Sequence, residues 1–134
     1  MPKFHPVLLA LALPLPAAAQ AVACHYTYGG ETRTLVAQPA KSPYPVPSIQ
    51  VGSYFRFRVT LQTVPADLGA IKIYTYADRD DSPVLIHQAT YPYPPANGAG
   101  KPYGFTGLHF VYEPLRDGEL QYWCELQPGT RSAP

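Results

Sequence analysis

Strict two-residue alternation is the feature that most constrains this chain. In Phe55-Arg56-Phe57-Arg58-Val59-Thr60-Leu61-Gln62, Phe55, Phe57, Val59 and Leu61 share one face, and Arg56, Arg58, Thr60 and Gln62 the other. Side chains alternate across a pleated strand, so the pattern specifies one buried and one wet face. It recurs along the chain. Ala70 to Ala77 reads as a strand with Ile71 and Ile73 toward the core and Lys72 and Tyr74 opposite. Val84 to Tyr91 is a third, and Gly107 to Glu113 a fourth that places Leu108, Phe110 and Tyr112 together. Glu119 to Leu126 turns Leu120, Tyr122, Cys124 and Leu126 inward and Glu119, Gln121, Trp123 and Glu125 outward. Cys24 to Tyr28 and Thr32 to Ala37 form an opening hairpin across Gly29-Gly30, a pair that tolerates positive φ.

Between these strands the sequence punctuates itself. Pro43-Tyr44-Pro45-Val46-Pro47 sits within residues 39–49, and proline at every second position has no donors for a central strand. The segment is expected to be a polyproline-like crossing or a sheet edge. Asp78-Arg79-Asp80-Asp81 is a polar turn. Residues 92–104 form the longest loop, with Ala96-Asn97-Gly98-Ala99-Gly100 at its tip, and residues 114–118 a short connection. About seven short strands with regular turns predict an all-β, single two-sheet antiparallel sandwich.

The N-terminus reads as a secretory leader over residues 1–21, followed by one domain over 22–134. Lys3 supplies positive charge, Val7 to Leu13 a short apolar run, and Ala17-Ala18-Ala19 and Ala19-Gln20-Ala21 both fit small-x-small cleavage. The run is too short to span a bilayer, which takes about 20 apolar residues. Removing Lys3 from ten Lys and Arg leaves nine against nine Asp and Glu. That balance argues against nucleic acid and membrane surfaces as partners, both of which call for a basic excess. A periplasmic or secreted protein follows, and there an even cysteine pair reads as a Cys24–Cys124 disulfide joining the first mature strand to the last. The rival route is lipidation of Cys24 after Ala21-Val22-Ala23, which would anchor the protein to a membrane and leave Cys124 free.

The segment Asp117-Gly118-Glu119-Leu120-Gln121-Tyr122-Trp123-Cys124 resembles the late strand of immunoglobulin-type sandwiches, in which an acidic residue precedes a Tyr two residues before a Cys. The resemblance covers about eight residues. It implies an immunoglobulin-like architecture, Tyr122 as a corner residue bonding upstream backbone, and Cys124 as the inter-sheet cysteine. Asp117 lies one place too far from the cysteine, the cysteine spacing is longer than in antibody domains, and no tryptophan follows the first cysteine. The resemblance therefore speaks for architecture and not for ancestry.

Chemistry is sparse. There is no Gly-x-Ser-x-Gly or His-Glu-x-x-His, and the acids sit mostly in turns or on outward strand positions, so no enzyme is expected. No cofactor is implied. Asp78, Asp80 and Asp81 lack the glycine and distant Glu of a calcium loop and read as an ordinary turn. His25, His87 and His109 each fall on an expected strand and have no local ligand spacing. They are the candidates for a copper or zinc site only if the fold brings them together. The single methionine, Met1, belongs to the leader, which excludes a methionine-rich copper carrier. The tyrosines are more informative. Tyr44, Tyr91, Tyr93 and Tyr103 lie in or beside proline-rich loops, and Tyr74, Tyr76 and Trp123 fall on outward faces. Tyrosine offers large amphipathic area at low entropic cost, as interfaces use it. The expectation is a non-enzymatic domain that binds a protein or glycan through Tyr44, Tyr91, Tyr93, Tyr103 and Trp123. A structural subunit assembling through an exposed edge strand is the alternative, and a metal-binding protein the next.

Overall fold

A computed structural model describes residues 2–11, 20–96 and 101–128. Residues 2–11 form no helix or strand and are exposed. The rest of the expected leader, residues 12–19, and the loop-tip residues 97–100 lie outside the described part.

The chain is all-β, and every expected strand is present: β1 Ala21–Tyr28, β2 Glu31–Ala37, β4 Phe55–Gln62, β5 Ala70–Asp78, β6 Pro83–Pro92, β7 His109–Glu113 and β8 Gly118–Gln127. A three-residue strand, β3 Ile49–Val51, adds an eighth where the proline-rich segment meets β4, and a single 3-10 turn occupies Ala66–Leu68. Two antiparallel four-stranded sheets result, ordered β2-β1-β8-β7 and β3-β4-β5-β6. The second sheet is a plain meander, and the first is closed by pairing the two ends of the domain. This is the expected sandwich architecture with a strand order unlike the constant-type immunoglobulin pattern.

The core face is the one the alternation specified, although Thr60, expected on the wet face of β4, is also buried. Phe55, Phe57, Val59 and Leu61 of β4, Ile71 and Ile73 of β5, and Leu120, Tyr122 and Cys124 of β8 are all at most 2% exposed. Trp123 remains outward. In β7, however, the core face belongs to Val111 and Glu113, while Phe110 and Tyr112 point to solvent. Glu113 thus departs from the expectation that the acids stay outside. Its carboxylate accepts from the backbone amides of Leu115 and Arg116 and from Arg79 at 3.1, 3.0 and 3.4 Å. Burial pushes its pKa up, but these donors stabilise the charge and hold the pKa below the ordinary carboxylate value.

Cys24 and Cys124 are disulfide-bonded, and neither is free, so the lipidated alternative for Cys24 does not describe this state. The bridge does not join the sheets. Cys24 and Cys124 are register partners on neighbouring strands of one sheet, with Cα atoms 4.1 Å apart. Cross-strand neighbours in an antiparallel pair approach closely enough for this. The inter-sheet role implied for Cys124 is therefore replaced by an intra-sheet staple.

Candidate functional site

The proposed contact residues do not converge on one patch. Trp123 lies on the outer face of the first sheet, in register with His25. Their rings stack with centroids 4.2 Å apart. The Trp123 ring also makes a T-shaped contact with Tyr103, at 6.0 Å. His25 Nε2 lies 3.2 Å from Glu125 Oε2, and its Nδ1 2.9 Å from the Thr34 hydroxyl. These groups form a row of polar and aromatic side chains across β2, β1 and β8.

The loop after the tip positions Tyr103. Residues 104–106 run beside β8: Phe105 N–H donates to Cys124 O, and Cys124 N–H donates to the Thr106 hydroxyl. The approach is so close that a Cβ on Gly104 would sit 2.1 Å from the Cys124 carbonyl oxygen. Only glycine fits there. The preceding residue shares the unusual backbone, since Tyr103 has φ 64°. A non-glycine residue at positive φ is uncommon and costs conformational energy. Here it delivers a half-exposed phenol to the edge of Trp123.

Tyr44 stands on the opposite sheet's side of the molecule, 91% exposed. The turn beneath it is anchored, because Arg58 donates to the carbonyls of both Pro43 and Val46. The same guanidinium lies over Tyr74, whose ring stacks on Tyr76. Tyr93 contacts Gln20 through its hydroxyl, at 3.1 Å. Tyr91 belongs to neither surface. It points into the seam between the sheets, where it meets Phe105 and places its hydroxyl 3.3 Å from His109 Nε2. The structure therefore brings Tyr103 and Trp123 together, whereas Tyr44 stands on the side of the other sheet, Tyr91 in the seam and Tyr93 against Gln20.

The histidines divide likewise. His25 is on the outer face of the first sheet, whereas His87 and His109 lie between the sheets with ring centroids 5.5 Å apart. His109 donates from Nε2 to the Thr106 carbonyl at 3.0 Å and stacks on Tyr122. Tyr122 shares a 2.5 Å hydrogen bond with His87 Nε2. Its hydroxyl thus goes to a side chain of the other sheet and not to upstream backbone, which corrects the corner role. Burial lowers the pKa of His87, and neighbouring His109 lowers it further. Burial raises that of Tyr122, with Tyr91 adding to the effect. Among the described residues no group of three or more His, Cys, Asp or Glu is placed to hold a metal ion.

The seam arrangement escaped the sequence because its members come from both sheets, His87 from β6 and His109 and Tyr122 from β7 and β8. The register of β5 with β6 slips between Thr75 and Tyr76, so that Thr75 faces His87 while Tyr76 faces Leu85. His87 keeps the inward phase of Ala89 and Tyr91, and the extra residue, Ile86, packs against the core beside it, as bulges allow.

No protein-family model, curated protein or solved structure matches the chain.

Proposed function

We propose that this chain is an exported, non-enzymatic binding domain, periplasmic or secreted, that recognises a protein or glycan through the outer face of the first sheet around Tyr103 and Trp123. The observation that carries the reading is the placement of Tyr103. A loop that needs glycine at 104 and positive φ at Tyr103 itself leaves that ring 47% exposed beside Trp123. Strained backbone persists where surrounding structure enforces it, and it clusters at ligand-contacting segments. Thr34, His25, Glu125 and Gln121 surround the rings with donors and acceptors, the mixture that amphipathic recognition needs. The disulfide accords with an oxidising compartment.

The test is to present the protein to a glycan array and to detergent-free envelope extract, alongside Tyr103→Ala. Tyr103 is exposed, so its truncation spares the core. The reading expects a saturable glycan or protein partner whose affinity falls at least about tenfold in Tyr103→Ala, as truncated aromatic anchors do. No partner in either format, or one bound equally by the variant, would overturn it.

Self-assembly through an edge strand is a second reading. Strand β6 pairs on one side only and exposes Val84 and Leu85. A strictly monomeric elution over a wide concentration range would remove it.

A further inference from the structure

The open side of the sandwich between edge strands β2 and β3 holds two cavities. One, of about 190 Å³, is polar and is lined by Tyr26, Tyr28, Glu31, Arg33 and Gln50. The other, of about 380 Å³, is mostly apolar and is lined by Leu35 and Ala37 of β2, Val46 and Pro47 of the proline-rich strap, and Ile49 and Val59. They lie end to end. Glu31, Arg33, Leu35 and Ala37 are alternate positions on one face of β2, opposite Tyr28, Tyr26, Cys24 and Val22 of β1, with Glu31 and Arg33 exposed, Leu35 half-buried and Ala37 buried. On β3, Val51 borders the polar cavity and Ile49 the apolar one. The two cavities share no lining residue but adjoin along this β2–β3 cleft, whose wall changes from charged and phenolic to aliphatic between Arg33 and Leu35.

We infer that this cleft binds a single-chain amphiphile, with its aliphatic chain along Leu35, Val46 and Ile49 and an uncharged, hydroxyl-bearing head at Arg33, Glu31, Tyr26 and Tyr28. Three observations select that occupant. The apolar half matches small-molecule sites in size, which run from about 300 to 1,000 Å³. The strap that walls it is fixed, because Arg58 holds both Pro43 and Val46 by their carbonyls. At the polar end the charges cancel: Arg33 donates from Nε to Glu31 Oε1 at 2.9 Å, and a second guanidinium nitrogen lies at the same distance. An anionic head would face the Glu31 carboxylate, and a cationic one the Arg33 guanidinium. A hydroxylated head uses both, accepting from Arg33 and donating to Glu31, and mixed donors and acceptors of this kind fix orientation in a mostly apolar site. This site lies between the sheets and is separate from the Tyr103 and Trp123 surface.

The experiment is a titration of the protein with octyl glucoside below its micelle threshold, with octanoate and octyltrimethylammonium as head-group controls, followed by backbone amide NMR. The inference expects a saturable one-to-one isotherm for the glucoside, with shifts confined to β2, β3 and residues 43–51, and weaker binding of both charged amphiphiles. Val46→Asp, which puts a carboxylate on the half-buried strap, is expected to lower affinity at least about tenfold. Arg33→Ala, at an exposed position, is expected to lower it about three- to tenfold. Val46→Ser serves as the milder variant if the Asp form loses its native spectrum. Tyr103→Ala is expected to leave glucoside binding unchanged, so that the two surfaces are judged separately. No saturable binding, binding untouched by either Val46 variant, or tighter binding of a charged amphiphile would overturn the inference.

Discussion

Tyr122 of β8 and His87 of β6 share a hydrogen bond of 2.5 Å that crosses from one sheet to the other. Tyr122 is fully buried, and its ring also packs on Phe57 and stacks on His109. The bond therefore ties one sheet to the other through a histidine whose pKa burial lowers.

Its pH dependence has a definite sign. The folded state holds the pKa of His87 below its ordinary value of 6.5, through burial and then through His109. As pH falls below about 6.5 the unfolded chain takes up a proton that the folded chain resists, and that difference favours unfolding. The stability contributed by neutral His87 is fully present above that pH and is lost progressively as pH falls through the folded value. Urea unfolding midpoints measured from pH 8 to pH 5 are expected to fall toward acid, and His87→Gln to flatten part of that slope. An identical slope in the variant would locate the acid sensitivity elsewhere.

Thr75 faces His87 across β5 and β6, and its side chain is fully buried. Among the described residues its Oγ1 has no hydrogen-bond partner. A buried, unsatisfied hydroxyl costs about 1–3 kcal/mol, and replacing it by a methyl of the same shape removes that cost. Thr75→Val is expected to raise stability by about 1 kcal/mol or more in urea unfolding at pH 8. A loss of stability would mean that the hydroxyl is satisfied in solution.

The strands that carried the core were legible because alternation is local: Phe55 to Leu61 names its own buried face. What the sequence concealed is non-local or breaks the period. Ile49–Val51 is too short and too close to prolines to show alternation. His87 keeps the alternation of Ala89 and Tyr91, but nothing in β6 announces the extra residue at Ile86 or the partner of His87 in the other sheet. Tyr122 carries a familiar local pattern, yet its hydroxyl partner comes from a strand 35 residues away. Glu113 occupies an inward position of β7 because the chain after it turns back to supply two amides to its carboxylate. For the candidate surface, aromatic content pointed alike to Tyr44, Tyr91, Tyr93, Tyr103 and Trp123, and only the glycine-dependent approach of the 104–106 loop to β8 explains why the last two meet. The β2–β3 cleft lies between edges of two different sheets that face each other without pairing, and no local pattern in the chain marks such a gap.

The disulfide adds a covalent tie to strands that already pair. Cys24 and Cys124 are separated by 100 residues, so the bridge restricts the unfolded chain over nearly the whole domain. Removing a native bridge from a small domain costs about 2–5 kcal/mol, although chain entropy alone is a model-dependent account. The double substitution Cys24→Ala and Cys124→Ala is expected to lose about 2–4 kcal/mol in urea unfolding, with the near-ultraviolet spectrum of the folded state retained. Register pairs on both sides of the bridge, His25 with Trp123 and Ala23 with Glu125, hold the sheet without it. Loss of all folded signal in the double variant would show that this pairing is insufficient.

If the N-terminal segment is a secretory leader, as proposed, the start of β1 bears on where it is cut. Cleavage after Ala21 would leave Val22 as the terminal residue, with a new ammonium group on a position that is fully buried. It would also remove Ala21, itself fully buried and in register with Gln127. Burying an unpaired charge is costly, and the chain would lose a rung of the β1–β8 ladder at the same stroke. Cleavage after Ala19 keeps Ala21 in the sheet, leaves the new terminus at exposed Gln20, and preserves the contact of Gln20 with the Tyr93 hydroxyl. Both sites satisfy the small-x-small rule, so the fold and not the leader separates them. Intact mass of the protein recovered from culture medium or periplasm is expected to match a chain beginning at Gln20 with the disulfide formed. A chain beginning at Val22 would mean that β1 starts later than Ala21 in the mature protein.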